Sequence, residues 1–174
     1  NKLGVLEAFA APLRELEHNE QVTIWKHGND EVACTIVRTL GKGAQGYVYE
    51  ATSSSGVTQA LKCGSFSSLK NEALIFLKAN YPQSHPNVLR VSYVHAMDEG
   101  GELMCLMEQI VGLEDGVRDL EQAIKSGLLF KGTDEEVNRR LVALLLQLAF
   151  ALEYLLSRGI VHQDVKPANI LIDG

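Results

Sequence analysis

The feature that most constrains the fold is a glycine-rich segment between two strand-like runs. Residues 41–46 read Gly-Lys-Gly-Ala-Gln-Gly, and β-branched or aromatic residues dominate residues 36–40 and 47–49. Strands on both sides predict a β-hairpin, whereas a dinucleotide-binding loop would lead from a strand into a helix. Because the glycines carry no side chains, the hairpin backbone can approach a polyphosphate closely, although a plain tight hairpin is the alternative.

The first half of the chain carries further strand signals and one helix signal. Three antiparallel strands are predicted within residues 35–62, and a helix over residues 65–80 with Ser65 as its cap. Two more strands are predicted at residues 88–94 and 103–111, joined by a turn at Glu99-Gly100-Gly101. The pattern therefore predicts a five-stranded antiparallel sheet with one helix.

The second half is helical. A short helix is predicted near residues 119–126, and a long one with leucines at helical spacing over residues 137–156. Thr133 and Glu136 have the spacing of a capping box, and Arg158-Gly159 closes the long helix. We therefore predict the α+β class, with residues 1–30 as an N-terminal extension of unknown role, a first lobe over 31–110 and a partial second lobe over 111–174.

Composition excludes several classes of function. A net charge of −6 over 174 residues, with no basic stripe, argues against nucleic-acid binding. The three cysteines, Cys34, Cys63 and Cys105, lack the spacing of metal or redox sites, which indicates a reduced, intracellular and cytoplasmic setting. The apolar stretch 141–156 is short and interrupted by polar residues, so no membrane segment is predicted. Both ends look cut, and the oligomeric state is left open.

Lys62 and Glu72 form a candidate ion pair. Strand alternation places Lys62 on the face opposite Leu61 and Cys63, one strand after the glycine hairpin. Helical spacing places Glu72 beside the inward stripe, where a carboxylate needs a cation. The pair would hold the ammonium near phosphates bound by the hairpin, while a surface Lys and a surface Glu are the plainer alternative.

Residues 159–172 bring an acid, a cation and a carboxamide into one short loop ahead of an apolar strand. These are Asp164, Lys166 and Asn169. Such a set can accept a hydroxyl proton, neutralise a developing phosphate charge and hold a magnesium ion. The loop therefore indicates phosphoryl transfer.

Read together, these motifs resemble the eukaryotic protein kinase family over roughly residues 35–174. The matching elements are the glycine hairpin with Val48, the strand Ala60-Leu61-Lys62, the helical Glu72, and His162-Gln163-Asp164 with Asn169. Lys166 follows Asp164 by two residues, and this spacing resembles the serine/threonine branch of the family. The resemblance implies a protein-kinase-like fold and transfer of the ATP γ-phosphoryl group to a protein hydroxyl.

The resemblance also implies a role for each matching residue. ATP and Mg²⁺ would be the cofactors, with Lys62, positioned by Glu72, on the α- and β-phosphates. Asp164 would accept or orient the substrate proton, Lys166 would steady the γ-phosphoryl group, and Asn169 would bind magnesium. His162 would be a packed scaffold residue. The residues implied in nucleotide binding, besides Lys62, are Leu40, Gly41, Lys42, Gly43, Gly46, Val48, Ala60, Met107 as gatekeeper, the Glu108 carbonyl, the Ile110 amide and Leu171.

Two departures from the family pattern carry consequences. Gln163 stands where the family usually has an Arg that pairs with a phosphorylated activation segment, so activation through a phosphate docked there is not expected. The Asp of Asp-Phe-Gly is missing, and Asp173-Gly174 is assigned to a turn. We therefore expect the isolated chain to transfer little or no phosphate, and its leucine-rich helix to be partly exposed.

Three functions stay open at this point. The leading one is a serine/threonine protein kinase. The second is a pseudokinase-like nucleotide-binding scaffold, against which the retention of Lys62, Glu72, Asp164 and Asn169 argues. The third is a kinase for small hydroxylated or aminated molecules, which assays on a basic protein and on small alcohols would separate from the first.

Overall fold

A computed structural model describes residues 15–25, 31–43, 46–96, 102–108 and 117–173. The chain divides into two compact units. The first comprises residues 1–82 and 89–109, and the second comprises residues 83–88 and 110–174. The lobe boundary predicted at residue 110 lies close to the start of the longer part of the second unit, whereas residues 83–88, predicted in the first lobe, belong to the second unit.

The first unit is built on a six-stranded antiparallel sheet in the order β1-β2-β3-β4-β6-β5. The strands are β1 (Gln21–Trp25), β2 (Glu31–Gly43), β3 (Gly46–Ser53), β4 (Thr58–Ser65), β5 (Val91–Ala96) and β6 (Glu102–Glu108). The edge strands β1 and β5 also come into contact, so the sheet is strongly curled. The predicted turn at residues 99–101 lies outside the described residues.

The expected α+β class, an antiparallel sheet with one helix followed by helical structure, is confirmed. The sheet has one strand more than the five expected, because β1 pairs with β2 from Gln21 opposite Thr35 to Trp25 opposite Glu31. This strand lies within the residues assigned to an N-terminal extension. The predicted strands over 88–94 and 103–111 are observed with shifted ends, as β5 and β6.

Apolar clusters cover the two faces of the sheet. The first cluster contains the buried residues Val22, Ile24, Cys34, Ile36, Tyr49, Ala51, Leu61 and Cys63. The second cluster contains Ala60, Leu69, Ala73, Val91 and Met107, with Leu40 and Val48 packed against it. Leu61 and Ala60 are neighbours in β4 but belong to different clusters, as the alternation of side chains along a strand requires. Cys34 and Cys63 are both buried.

Helix α1 (Phe66–Asn80) begins as the sequence predicts. The Ser65 hydroxyl accepts a hydrogen bond from the Ser68 amide at 3.2 Å, which satisfies one of the free donors of the first turn. Leu69 and Ala73 are buried against the sheet, so one face of the helix packs on the second cluster. Glu72 projects from the edge of this face.

The second unit is helical. It contains α2 (Leu120–Lys125), a 3₁₀ turn (Leu128–Phe130), α3 (Asp134–Ser157) and a second 3₁₀ turn (Pro167–Asn169). Its core contains Val117, Leu120, Ala123 and Leu129, with Leu141, Leu144, Ile170 and Ile172 packed against them. The short segment 83–88 docks on α3, where the His85 and Tyr154 rings stack at 5.0 Å.

Both ends of α3 are capped. At the N-terminus, the Thr133 amide donates to Glu136 Oε2 at 2.8 Å, and the Glu136 amide donates to Thr133 Oγ1 at 3.4 Å, so the predicted capping box is confirmed. At the C-terminus, Gly159 has φ +65°, and the amides of Gly159 and Ile160 donate to the carbonyls of Leu156 and Leu155. This is a Schellman ending, in which glycine adopts the left-handed conformation without steric cost.

The outward side of α3 is apolar. Exposed fractions are 62% for Leu145, 55% for Phe150 and 66% for Leu156, so the expected exposure of the leucine-rich helix is observed. By length and composition α3 could cross a membrane, although core helices of soluble proteins satisfy the same criterion. In this chain the other side of α3 packs on the second unit's core through Leu141 and Leu144.

Candidate active site

The glycine hairpin joins β2 and β3, with Gly43 opposite Gly46 in the register. Gly46 has φ +140°, and a Cβ atom on it would collide with the backbone carbonyl of Cys63 on β4. Among the residues that the structure describes, a Cβ atom on Gly41 or Gly43 would meet nothing within 4 Å. Gly46 is therefore needed by the sheet itself, whereas Gly41 and Gly43 leave open space beside the backbone.

Two bulges shape the strand that leads into this hairpin. In β2, Val37 and Leu40 are extra residues, because the register steps from Ile36 to Arg38 and from Thr39 to Gly41 against single steps in β3. A bulge adds one residue and so reverses the alternation of side chains that follow it. As a result Ile36 belongs to the first cluster while Leu40 packs against the second.

Lys62 and Glu72 form the ion pair expected from the sequence. Lys62 Nζ lies 2.6 Å from Glu72 Oε1 and 2.7 Å from Oε2, so one ammonium bonds both carboxylate oxygens. The side chains are 18% and 28% exposed, respectively. In the register Lys62 is opposite Val48, two residues after Gly46. The ammonium is thus fixed beside the strand that leaves the hairpin.

Four of the residues implied in nucleotide binding share one apolar cluster. Ala60 and Met107 are buried and directly opposed in the pairing of β4 with β6. Leu40 and Val48 pack against the same cluster. The β2–β3 hairpin and β4 therefore present a continuous apolar surface on the face that carries Lys62.

In the second unit, Asp164, Lys166 and Asn169 bond one another. Lys166 Nζ donates to Asp164 Oδ2 at 2.8 Å, and Asn169 Nδ2 donates to the same oxygen and to the Asp164 carbonyl, both at 2.9 Å. The Lys166 bond first, and then the Asn169 bond, lower the pKa of Asp164. The carboxyl group is ionised at neutral pH. The three side chains are held together by hydrogen bonds within the loop.

The segment after this loop is fixed by short backbone pairing. Leu120 N donates to the Ile170 carbonyl and Ile172 N donates to the Arg118 carbonyl, both at 2.9 Å. Ile170 and Ile172 pack against the core of the second unit. The apolar run after Asn169 thus ties the loop to the start of α2.

The remaining predicted residues have mixed outcomes. Leu171 is 46% exposed and forms an isolated bridge with Asp119, so it lies on the side away from Ile170 and Ile172. His162 is exposed, and the expectation that it is packed is wrong for this structure. The backbone of Glu108 ends β6, while Ile110 and Gly174 lie outside the described residues.

Gln163 adopts a left-handed conformation, with φ +64°. A non-glycine residue there is uncommon and is typical of tight functional loops. The side chain is exposed and neutral, so it offers no charge to a phosphate. The expectation about activation through this position stays a prediction.

The residues present fit a magnesium nucleotide in part. Open space beside Gly41 and Gly43 suits close approach of phosphates, and the Lys62 ammonium supplies positive charge nearby. For the metal, Asn169 offers its carboxamide oxygen, since the amide nitrogen is occupied by Asp164. Within the described ranges no group of three His, Cys, Asp or Glu side chains could hold a metal alone.

Comparison with known families decides the identity. Residues 34–174 match the protein kinase domain. This chain belongs to the protein kinase family. The match begins in β2, so it includes the glycine hairpin and the loop of Asp164, while β1 precedes it.

Individual kinases are similar over most of the chain. The chain is 31% identical over 147 residues to extracellular signal-regulated kinase 7 of Drosophila melanogaster, covering 79% of the chain and 14% of that protein. It is 30% identical over 145 residues to mitogen-activated protein kinase 15 of Xenopus laevis, covering 80% and 23%. It is 32% identical over 145 residues to serine/threonine-protein kinase DCLK1 of Rattus norvegicus, covering 79% and 30%. The chain thus spans less than a third of the length of these relatives.

One buried tyrosine with a long-range hydrogen bond was not predicted from the sequence. Tyr49 in β3 is fully buried, and its hydroxyl accepts a hydrogen bond from the Leu16 amide at 2.9 Å. Alternation with Val48 indicates which face Tyr49 occupies, but Leu16 is far away in sequence and belongs to a segment without a regular pattern. Only the folded chain brings them together.

Proposed function

We propose that this chain binds magnesium ATP and carries the catalytic loop of a serine/threonine protein kinase, which transfers the γ-phosphoryl group to a protein hydroxyl. The observation that carries the proposal is the Lys62–Glu72 pair, in which one ammonium bonds both oxygens of a helical carboxylate. A lysine on an exposed strand face is solvated by water and does not require a carboxylate partner. Held in this way, it is positioned for a ligand with negative charge.

The nucleotide would be held by three features of the first unit. Lys62 would bond the α- and β-phosphates, since it stands opposite Val48 beside the hairpin. Hairpin amides near Gly41 and Gly43 would approach the phosphates where no Cβ atom intervenes. The apolar surface formed by Ala60 and Met107 would take the adenine ring. These interactions position a substrate rather than react with it.

The loop of the second unit would handle the acceptor hydroxyl. Asp164, whose pKa is lowered by the hydrogen bonds from Lys166 and Asn169, would orient the hydroxyl as a carboxylate and accept its proton. Lys166 would then exchange its bond to Asp164 for contact with the transferred group. Magnesium, when bound, neutralises phosphate charge, and Asn169 would supply one oxygen ligand. Catalysis of this kind is mainly positioning and charge stabilisation.

The serine/threonine assignment is supported by the loop and by the relatives. Lys166 follows Asp164 by two residues, the spacing noted above for that branch. A matched relative is named a serine/threonine-protein kinase. The protein substrate itself is a proposal that rests on this similarity.

ATP binding is the first test. Titration of the chain with magnesium ATP, followed by fluorescence or calorimetry, should give saturable binding. Lys62→Met should weaken it about tenfold to a hundredfold, the range for a lost charge-assisted hydrogen bond. Lys70→Met, on the exposed side of α1, is the matched control and should leave the affinity unchanged. Equal affinity in the Lys62 variant would remove the assigned role.

Phosphate transfer is the second test. Labelled ATP is offered with a basic protein and, separately, with a panel of small alcohols. Because residues 1–174 contain no Asp-Phe-Gly, we expect little or no transfer, and any transfer should be directed to serine and threonine of the protein and abolished in Asp164→Asn. Transfer to the alcohols alone would favour a small-molecule kinase, and transfer to the protein that persists in Asp164→Asn would contradict the proposed role of Asp164.

A further inference from the structure

The glycine hairpin is tied to a segment that precedes the kinase domain. Residues 15–20, called here the anchor segment, run beside β2 before β1 begins. The amide of Asn19 donates to the Ile36 carbonyl, and the Ile36 amide donates to the Glu20 carbonyl, both at 2.8 Å. The anchor segment is thus joined by backbone bonds to β2 immediately before its first bulge.

A side chain of the anchor segment hydrogen-bonds a backbone carbonyl at this bulge. Val37 is the extra residue, so its carbonyl is displaced from the regular ladder. His18 Nδ1 lies 2.7 Å from that carbonyl oxygen, and because a carbonyl oxygen only accepts, the bond forms in the tautomer that carries its hydrogen on Nδ1. Because the bulge directs Leu40 toward the second cluster, this bond supports the geometry of β2 just ahead of Gly41.

A column of side chains links the same segment to the other hairpin strand. Lys42 Nζ lies over the Tyr47 ring at 4.9 Å, and the Tyr47 and Tyr49 rings stack at 5.9 Å with an interplanar angle of 17°. The Tyr49 hydroxyl accepts the Leu16 amide at 2.9 Å, and the Glu15 carboxylate lies 3.5 Å from Lys42 Nζ. These contacts form a closed circuit from the hairpin to the anchor segment and back.

The contacts of this circuit differ in strength. Glu15 and Lys42 are 51% and 65% exposed, so their ion pair contributes little. Tyr49 is fully buried, so losing its hydroxyl would leave the Leu16 amide without this partner in a partly buried position. Tyr49 is therefore the strongest single link, followed by His18 at the bulge.

We propose that the anchor segment positions the glycine hairpin for nucleotide binding, with Tyr49 and His18 as positioning residues. The proposal rests on the proposed function, since it concerns how the hairpin presents its amides to ATP. Gly41, Gly43 and Gly46 carry no side chains that could fix the shape of the hairpin, and two bulges already weaken its ladder. Support from outside the hairpin reduces the ordering that ATP must otherwise impose, so it raises the affinity for ATP.

Tyr49→Phe is the decisive variant, because it removes one hydroxyl and keeps the stacked ring. Amide hydrogen exchange of the nucleotide-free chain should be about threefold to tenfold faster at residues 38–43 and 46–49, with exchange in α1 unchanged, as expected for loss of one hydrogen bond. Magnesium ATP should bind about threefold more weakly. Tyr81→Phe, an exposed tyrosine that follows α1, is the control and should change neither quantity.

His18→Ala tests the anchor independently, since His18 is exposed and its loss should not prevent folding. It should raise exchange at residues 37–41 and weaken ATP binding in the same direction. Unchanged exchange in both variants, exchange raised equally in α1, or faster hairpin exchange with unaltered ATP affinity would each overturn the proposal. If the unaltered chain fails to bind ATP, the proposed function fails instead, and the exchange data still report whether the anchor holds the hairpin.

Discussion

Lys62 Nζ donates to both carboxylate oxygens of Glu72, at 2.6 and 2.7 Å, across the boundary between β4 and α1. Both side chains are less than one-third exposed, so water screens the pair only in part. The arrangement also couples the position of α1 to the position of the ammonium. A shift of β4 or of α1 would therefore move the Lys62 ammonium, the group that we propose binds the phosphates of ATP.

Replacement of Glu72 by Gln should uncouple this ammonium. The amide keeps the size of the side chain but removes its charge, so the affinity for magnesium ATP should fall about tenfold and the free energy of unfolding by about 1 kcal/mol. Titration with ATP and urea unfolding measure the two effects. Glu121→Gln is the matched control, because it breaks the exposed pair with Lys125 and should change neither by a measurable amount. Equal behaviour of the two variants would contradict the role of Glu72.

Gly46→Ala should destabilise the sheet whether or not ATP is present. The new methyl group would meet the Cys63 carbonyl, and φ of +140° is strained for any residue with a side chain. We expect a loss of about 2–4 kcal/mol in the free energy of unfolding.

Gly41→Ala separates binding from folding at the same hairpin. Its Cβ atom has open space, so stability should change by less than about 1 kcal/mol while ATP binding weakens. Urea unfolding and ATP titration of both glycine variants test the contrast. A stable Gly46→Ala protein would show that the close approach to Cys63 is not required.

The Asp164 carboxyl should titrate below its ordinary pKa of 3.8, with the Lys166 hydrogen bond as the larger cause and that of Asn169 as the smaller. Since the folded pKa is the lower one, the stabilisation is present above the ordinary value and is lost as pH falls through the folded value. Lys166→Met should raise the pKa of Asp164 more than Asn169→Ala does. Carboxyl carbon NMR between about pH 2 and about pH 6 follows this directly. The opposite order of the two variants would refute the assignment.

Thr133→Ala should shorten α3 at its N-terminus. The Thr133 hydroxyl accepts the Glu136 amide, and the Thr133 amide and hydroxyl together lower the pKa of Glu136. Removal of such a cap costs about 1 kcal/mol. Thr133→Ser keeps the hydroxyl and should restore stability in thermal unfolding, and a loss shared by both variants would argue against the cap.

The outward side of α3 should promote self-association of this chain. Leu145 and Phe150 are 62% and 55% exposed, whereas Leu155 is 9% exposed. Leu145→Lys should therefore lower concentration-dependent association in analytical ultracentrifugation without lowering stability. Leu155→Lys should instead destabilise the second unit, because it places a charge in a buried position. Association unaffected by Leu145→Lys would exclude this surface.

Several features were predictable because they depend on neighbours in sequence. The capping box of Thr133 and Glu136, the cap at Ser65 and the ending at Gly159 all follow from spacings of a few residues. The same holds for the side of β4 on which Lys62 lies, since alternation along a strand is regular. The register shift at Val37 was not predictable in this way. A bulge depends on how two strands pair, and it reverses every alternation that follows.

Taken alone, the order of residues determined the glycine hairpin, the helix that carries Glu72 and the loop with Asp164, Lys166 and Asn169, because each depends on local periodicity or on a short motif. The folded chain decided which distant groups meet: β1 on the sheet, Leu40 turned toward the cluster of Ala60, and Leu16 bonded to Tyr49. Long-range pairing reflects the summed packing of many residues, and no short stretch of sequence encodes that sum.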